Sequence, residues 1–422
     1  MRLALRSGLP TPLVVAAALL GAPPVLAQTA EELREMIELQ RQQIEQQARQ
    51  LEVLEERLQE LEDTTIQTLQ REERTVPPVV AAESTVECCQ TGINLALSGQ
   101  INRMVTAGYD GDDTKLYHVD NVNSSSRLRV VGSAARDAFE LGTRFEFEMR
   151  SNASTEVSQR NEDTGIQGFR ERLIEAFFEH DDFGRLTIGQ GSTAADGTSE
   201  IDLSGTTVIA YSGISDTAGG LRFFDDDLDA LSGTSIGNVF NNFDGLSRQD
   251  RIRYDTPTFA GFTAAVDAIS NARWSGALRW AGQTDAFRAA AAVGYSDPGG
   301  DRDWILSSSA SVLHQPTGLS VTVSAAGRDN DGRDDALSLY GKFGWQQDFF
   351  TFGRTHLSID YARNEDATVE GDEAESIGLA FVQNVTDFGI ELYGLYRWHT
   401  LDRNGADFDD IHIFTLGTRV RF

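Results

Sequence analysis

Arginines at alternating positions are the residues of this chain whose spacing most clearly suggests chemistry. Arg127 and Arg129 are separated by one residue, as are Arg251 and Arg253, and Arg144 lies in a segment with the same alternation. Every second side chain of an extended strand points to the same face. Each pair would therefore present two guanidinium groups to one side of a sheet. Walls of charge of this kind select ions in a water-filled passage.

A stretch without strand pattern, residues 191–247, carries acidic groups that are candidates to face these arginines. Its aspartate cluster consists of Asp225, Asp226, Asp227 and Asp229, and further carboxylates nearer its start are Asp196, Glu200 and Asp202. An acidic loop opposite a basic wall would set an electric field across the gap between them.

Two other interpretations of these charges stay open. The arginines can pair with neighbouring carboxylates such as Glu146 and Glu148, which would stiffen a wall. The aspartate cluster can hold a divalent cation, although its spacing does not fit the EF-hand pattern.

The remaining reactive residues predict no catalytic centre, no metal site and no cofactor. The six histidines are scattered without an HExxH pair, and no nucleophile elbow, P-loop or dinucleotide fingerprint occurs. Cys88 and Cys89 are adjacent, a spacing that builds neither a zinc nor an iron–sulfur site. A vicinal disulfide, pairing between protomers and an inert pair all remain open for these cysteines.

Composition narrows the class of protein. The 422 residues carry a formal net charge of -29, which argues against nucleic acid as a partner because that needs a basic surface. Beyond the N-terminus no run of about 18 apolar residues occurs, so no transmembrane helix is expected. Strands that alternate apolar and polar residues cross membranes without such a run.

The N-terminal residues have the pattern of a secretory signal. Arg2 and Arg6 precede an apolar run from Leu13 to Leu20, and small residues stand at the -3 and -1 positions of a cleavage site after Ala27. The run is too short to anchor the chain in a membrane. We expect residues 1–27 to be removed and the mature chain to leave the cytoplasm.

A heptad repeat follows the signal. Its seam, with spacings of four and three in turn, consists of Leu33, Ile37, Gln40, Ile44, Gln47, Leu51, Leu54, Leu58, Leu61 and Thr65. This spacing predicts a left-handed coiled coil over residues 28–74. A lone amphipathic helix or a peptide-binding arm is the alternative. Pro77 and Pro78 end the helix and open a linker, residues 75–92.

Alternation of apolar and polar residues dominates residues 93–422. In the last segment Phe414, Leu416 and Val420 share one face, whereas Thr415 and Arg419 share the other. About sixteen such segments can be counted, joined in turn by short turns and longer polar loops such as 108–125. We therefore predict an all-β fold, an antiparallel transmembrane β-barrel of about 16 strands with an N-terminal coiled-coil segment. Residues 191–247 are too long for an ordinary connection and would narrow the barrel by folding inward.

Three segments and the last residue resemble a known family. Residues 124–129 (SSSRLR), 183–190 (FGRLTIGQ) and 251–257 (RIRYDTP), together with the terminal Phe422, are similar to Gram-negative porins of the general diffusion type. The resemblance covers roughly residues 93–422. It implies that 191–247 is the third loop and forms the constriction, that the chain is a homotrimer, and that Phe422 is read by the barrel assembly machinery.

The resemblance also implies a cellular setting and a function. Outer-membrane lipid and lipopolysaccharide would surround the barrel, and the coiled coil would lie in the periplasm, where contact with the cell wall is open to it. The expected function is passive diffusion of ions and small hydrophilic solutes, not catalysis. A solute-specific channel and an outer-membrane tether acting through the coiled coil are the alternatives. The sign of ion preference stays open, because the acidic net charge and the wall arginines point in opposite directions.

Overall fold

The computed structural model describes residues 86–88, 92–300 and 302–422. The predicted signal peptide, the predicted coiled coil and most of the predicted linker lie outside the described residues, as does Cys89. Within the linker range, residues 86–88 form a short strand, β1, which pairs with the first residues of the next strand. No helix of the described residues is long and apolar enough to cross a membrane.

Twenty strands make up the described chain. In order they are β1 Val86–Cys88, β2 Ile93–Tyr109, β3 Thr114–Asp120, β4 Arg127–Arg136, β5 Phe139–Ser151, β6 Ile166–His180, β7 Gly184–Ser192, β8 Arg222–Asp225, β9 Ala230–Ser235, β10 Arg248–Asp255, β11 Phe262–Ile269, β12 Arg273–Gln283, β13 Phe287–Asp297, β14 Ile305–His314, β15 Leu319–Arg328, β16 Ala336–Phe350, β17 Gly353–Glu365, β18 Glu373–Val385, β19 Ile390–Asp402 and β20 Ile411–Arg421. The described residues also contain one short α-helix, α1, which spans Ile236–Val239, and three 3-10 turns at Val122–Ser124, Ile214–Asp216 and Thr386–Phe388.

The strands close into a barrel, because β2 pairs with β20 on one side and with β3 and β4 on the other. Both β3 and β4 run along β2, one after the other, so they form a single wall strand that is interrupted. With β1 left aside and β3 counted with β4, the 18-stranded sheet is a closed antiparallel barrel of sixteen strands. This confirms the predicted barrel of about 16 strands. The strands β8 and β9 form a separate hairpin.

Side-chain alternation explains the barrel wall. In β20, Phe414 and Leu416 are exposed on the outer surface, whereas Ile413 and Thr415 are completely buried inside. Exposed apolar residues recur along the outer wall, as in a barrel whose outer face meets lipid. The predicted loop 108–125 is wrong in part, because residues 114–120 form β3.

The ends of the barrel differ as predicted for a membrane protein. Turns such as 181–183 and 351–352 are short at one end, which also holds the chain terminus, and we call it the short-turn end. Longer connections such as 152–165 and 403–410 lie at the other end, the long-loop end. At the short-turn end, backbone hydrogen bonds of 2.8 and 3.0 Å join Phe422 to Gly99. The Phe422 ring lies where a Cβ on Gly99 would be, so only glycine fits there.

The segment between β7 and β10, residues 193–247, lies inside the barrel and is called the third loop. It contains the β8–β9 hairpin and α1, so it has structure of its own. Loop residues such as Leu221, Phe223 and Phe240 are buried against inward-facing residues of the wall, among them Tyr393 and Ile413. A hydrophobic core therefore fills one part of the barrel lumen, between the third loop and β2, β3 and β16–β20.

Candidate pore constriction

A row of serines on β14 fixes the first part of the third loop. Ser307, Ser309 and Ser311 occupy every second position, so all three point inward. The hydroxyl of Ser307 contacts that of Thr198 at 2.6 Å, and the hydroxyl of Ser309 accepts from the amide of Ile201 at 2.9 Å. The hydroxyl of Ser311 accepts a hydrogen bond of 3.0 Å from the amide of residue 203. The wall thus satisfies loop backbone groups that would otherwise lack partners.

On its other side the third loop faces a charged cavity of about 860 Å³. The loop supplies the carboxylates of Asp196, Glu200, Asp202, Asp216 and Asp244. The wall and the connections at the long-loop end supply the guanidinium groups of Arg127, Arg150, Arg172, Arg248, Arg302, Arg328 and Arg419. Acidic and basic side chains therefore line opposite sides of one water-accessible space.

Buried carboxylates hold the wall arginines in place. Arg172 donates from Nε to Glu146 at 2.6 Å and from Nη1 to Glu148 at 2.7 Å. Glu146 also contacts Arg127 at 3.4 Å, and Glu148 contacts Arg150 at 2.9 Å. Because Glu146 and Glu148 are buried behind the arginines, they orient the guanidinium groups without covering them. The wall arginines are therefore paired with glutamates and exposed to the cavity at the same time.

The loop carboxylates lie close to one another. Asp244 accepts hydrogen bonds of 2.8 Å from the amide and from the hydroxyl of Ser199, and Glu200 accepts one of 3.1 Å from Asn242. Burial and the neighbouring Asp196 raise the pKa of Asp244 to about 6. Burial, and then Asp244 itself, raise the pKa of Glu200 well above its ordinary value. The negative charge of this cluster therefore depends on pH in the mildly acidic range.

The five arginines predicted from alternation lie in two places. Arg127 lines the constriction cavity, whereas Arg129, Arg144, Arg251 and Arg253 line a second cavity of about 680 Å³ toward the short-turn end. Each of these four is paired: Arg129 with Glu146, Arg144 and Arg251 with the buried Glu175, and Arg253 with Asp255. Alternation predicts correctly that they face inward but not how far along the barrel they lie.

The predicted aspartate cluster lies elsewhere. Asp225, Asp226, Asp227 and Asp229 are at the end of the β8–β9 hairpin, and all but Asp225 are exposed. The hairpin pairs with connection 403–410, because the amide of Asp226 donates to the carbonyl of Asp407 at 2.9 Å. Phe223 is buried in the core and fixes the hairpin in this orientation. The structure therefore does not bring the cluster together with the wall arginines.

Metal binding by these acidic groups gains no support. Among the described residues, no group of three or more histidine, cysteine, aspartate or glutamate side chains is arranged to hold a metal ion.

Sequence patterns missed several residues of the constriction. Arg172 lies at a register shift, between Leu173, which pairs with Glu146, and Glu171, which pairs with Phe147, and simple alternation cannot reveal this shift. Arg248, Arg302 and Arg328 lie at strand ends or in connections, where period two gives no orientation. Asp244 lies far along the third loop from Asp196, and only the folded loop brings them together.

The chain was compared with known proteins. A family model described as Gram-negative porin matches residues 75–404. No curated protein matches the sequence.

Solved outer-membrane proteins share the fold. The anion-selective porin from Comamonas acidovorans is 16% identical with a TM-score of 0.53, covering 78% of this chain and 100% of that one. The outer membrane channel DcaP of Acinetobacter baumannii is 13% identical with a TM-score of 0.52, covering 80% and 100%. OmpT of Vibrio cholerae lacking its loop L8 is 13% identical with a TM-score of 0.52, covering 78% and 100%.

The family match spans most of the chain and agrees with the sixteen-stranded barrel and with the loop folded into its lumen. Members of this family are channels of the outer membrane rather than enzymes. The chain belongs to the Gram-negative porin family and forms an outer-membrane channel for passive diffusion.

Proposed function

We propose that ion selection in this channel occurs in two zones in series, a charge-balanced constriction and an acidic mouth. The observation that carries the proposal is the cavity with third-loop carboxylates on one side and wall arginines on the other. The solutes are ions and small hydrophilic molecules.

In the constriction, charges of both signs are fixed across a narrow gap. Arg127, Arg150 and Arg172 are held by buried glutamates, so their guanidinium groups do not collapse onto the loop carboxylates. Since the wall arginines and the third-loop carboxylates face each other across the gap, this zone orients dipolar solutes. Their charges partly cancel, so the zone contributes only a modest preference for cations or anions.

In the connections at the long-loop end, acidic side chains outnumber basic ones. Asp226, Asp407 and Asp410 lie near Asp409, whose pKa is raised by a small burial effect and then by these carboxylates. A mouth with an excess of one sign concentrates counter-ions, and salt screens the effect over a Debye length of about 10 Å at 0.1 M. We infer a cation preference at low ionic strength that weakens as salt is added.

We infer the orientation of the channel in the membrane from the different lengths of the connections at its two ends. The long-loop end faces the cell exterior, and the short-turn end with Phe422 faces the periplasm, where Phe422 serves as the assembly signal. The N-terminal segment, including the predicted coiled coil, lies in the periplasm within reach of the cell wall. Lipid and lipopolysaccharide surround the rest of the outer wall.

A homotrimer is supported by charge on one part of the outer wall. Arg103 alternates with the buried Asn102 and Met104, so it lies on the outside of β2. Glu171 of β6 pairs with Phe147 on that same side and is exposed. An arginine on the lipid-facing surface of a barrel is destabilising, by up to about 2–4 kcal/mol depending on its depth in the membrane. We infer that β2–β6 face other copies of the chain. Native mass spectrometry of the detergent-solubilised protein should give three chains, and a monomer would contradict the assembly.

Selection at the constriction can be tested with Arg248→Gln. This arginine lines the constriction cavity at the start of β10. Its loss should shift the reversal potential in a KCl gradient toward stronger cation preference, since one of the arginines that oppose the loop carboxylates is then missing. The matched control is Arg136→Gln, because the side chain of Arg136 is 94% exposed at the end of β4. Equal reversal potentials for the two variants would overturn the assigned constriction.

A further inference from the structure

Lys342 of β16 has a completely buried side chain beneath the third loop. Its ammonium group donates to Asp202 at 2.7 Å, to Thr206 at 3.0 Å and to the carbonyl of Ala210 at 2.6 Å. A fourth, longer contact of 3.3 Å reaches Ser204. All four partners belong to the third loop, and we call this set of contacts the Lys342 socket.

The backbone around the Lys342 socket permits an unusually close approach of loop and wall. A Cβ on Gly344, two residues beyond Lys342, would come within 2.7 Å of the Ser204 side chain. On the loop side Gly205 has φ +84°, and a Cβ there would lie 2.0 Å from the His356 ring. A larger side chain at Gly344 would collide with Ser320 and Ser204, and one at Gly205 would collide with the His356 ring. Glycine at both positions therefore lets the loop backbone reach the ammonium group.

A buried ammonium needs a full set of acceptors, and here the loop provides them. If Lys342 lost its charge, Asp202 would remain 2% exposed with no cation beside it, a costly arrangement that local movement relieves. Residues 196–201 directly precede the socket in the chain and carry the carboxylates of Asp196 and Glu200. The socket therefore acts together with the serine row of β14 to keep these two carboxylates away from the wall arginines.

We propose that Lys342 is the positioning residue of the constriction: it fixes the third loop and thereby the loop carboxylates, without contacting a permeating ion. The amino group has no exposed surface through which an ion or solute could touch it. This inference rests on the proposed function in one respect only, which is the effect that a displaced loop would have on ion selectivity. The position of the loop can be measured separately.

The test is Lys342→Met, which keeps the length of the side chain and removes its charge. Hydrogen–deuterium exchange of residues 198–210 in the folded, membrane-reconstituted protein should become about tenfold faster or more, because the loop opens locally. Single-channel records should show fluctuating conductance in place of one steady level. The double variant D202N with Lys342→Met removes both charges and should restore most of the protection and the steady level.

Controls make each outcome decisive. Lys115→Met removes another paired lysine, one that contacts Glu162 among the outer connections, and should leave exchange of residues 198–210 unchanged. If Lys342→Met does not fold, Asp202→Asn breaks the same pair from the loop side and should show an intermediate increase. Unchanged exchange in folded Lys342→Met overturns the proposal, as does a double variant that stays as mobile as the single one. Faster exchange with an unchanged reversal potential supports Lys342 as the positioning residue but contradicts the selectivity proposed for the loop carboxylates.

Discussion

The two halves of the barrel lumen differ in what their inward-facing residues do. Along β2, β3 and β16–β20, inward positions include Tyr393 and Ile413, which pack against the third loop in a hydrophobic core. Along β4–β7 and β10, they include Arg127 and Arg172, which line an open, charged cavity. An inward side chain is therefore not necessarily a pore-lining one, because the third loop divides the lumen into a closed half and a conducting half.

The largest effect on this division of the lumen is expected from a substitution in the hydrophobic core of the closed half. Phe223→Ala removes a completely buried ring of the third loop, and such truncations cost about 3–5 kcal/mol. The loop should loosen while the barrel, held by its strand pairing, remains closed. Single-channel conductance should rise and become noisy.

The control for this substitution is Leu228→Ala on the same loop. Leu228 is 72% exposed at the end of the β8–β9 hairpin and packs against no core residue. It should leave conductance unchanged. If Phe223→Ala conducted like the wild type with the same noise, the closed half would not depend on its core.

A change of pH is expected to have an effect of medium size on the ion preference of the conducting half. The pKa of Asp244 is raised to about 6, so its carboxyl group is charged above that pH and becomes neutral as the pH falls through it. Reversal potentials measured from pH 8 to pH 5 should therefore show cation preference declining across about pH 6. Asp244→Asn should weaken this pH dependence and lower the cation preference at pH 8. An unaltered pH profile in Asp244→Asn would mean that another group is titrating.

The smallest effect is expected outside both halves, at the exposed hairpin end. Neutralising Asp226 and Asp227 to asparagine should reduce the cation preference at 0.1 M salt by roughly twofold at most. At 1 M salt, where the Debye length is about 3 Å, the variant and the wild type should agree. A difference that persists at 1 M would place these aspartates in the narrow part of the pore.

Alternation predicted the barrel well where only one face of a strand is apolar. The pattern of β5 and β20, the approximate strand number and the limits of the third loop to within about two residues all follow from it. It failed for β3, where Leu116 faces outward and Tyr117 and Val119 face the inner core. With apolar residues on both faces, no period of two remains, so the segment resembled a loop.

The charged residues also show that a sequence pattern predicts local orientation but not position in the folded barrel. Arg127 could be placed because its orientation is a local property of β4. The aspartate cluster could not, because its position depends on how Phe223 packs against strands far away in the chain. Asp196, Glu200 and Asp202 were recognised as loop carboxylates, whereas their partner Asp244 has no sequence signal that separates it from other loop aspartates.

The core inside the lumen also constrains how the barrel assembles. It joins the middle of the chain, at Phe223, to the first and last wall strands, through Met104 of β2 and Ile411 of β20. Those two strands meet only when the barrel closes. Before closure the apolar face of the third loop has no complete partner and is exposed to association with other chains. We therefore expect strand closure and core formation to be coupled and, because both depend on contacts distant in sequence, to be slow.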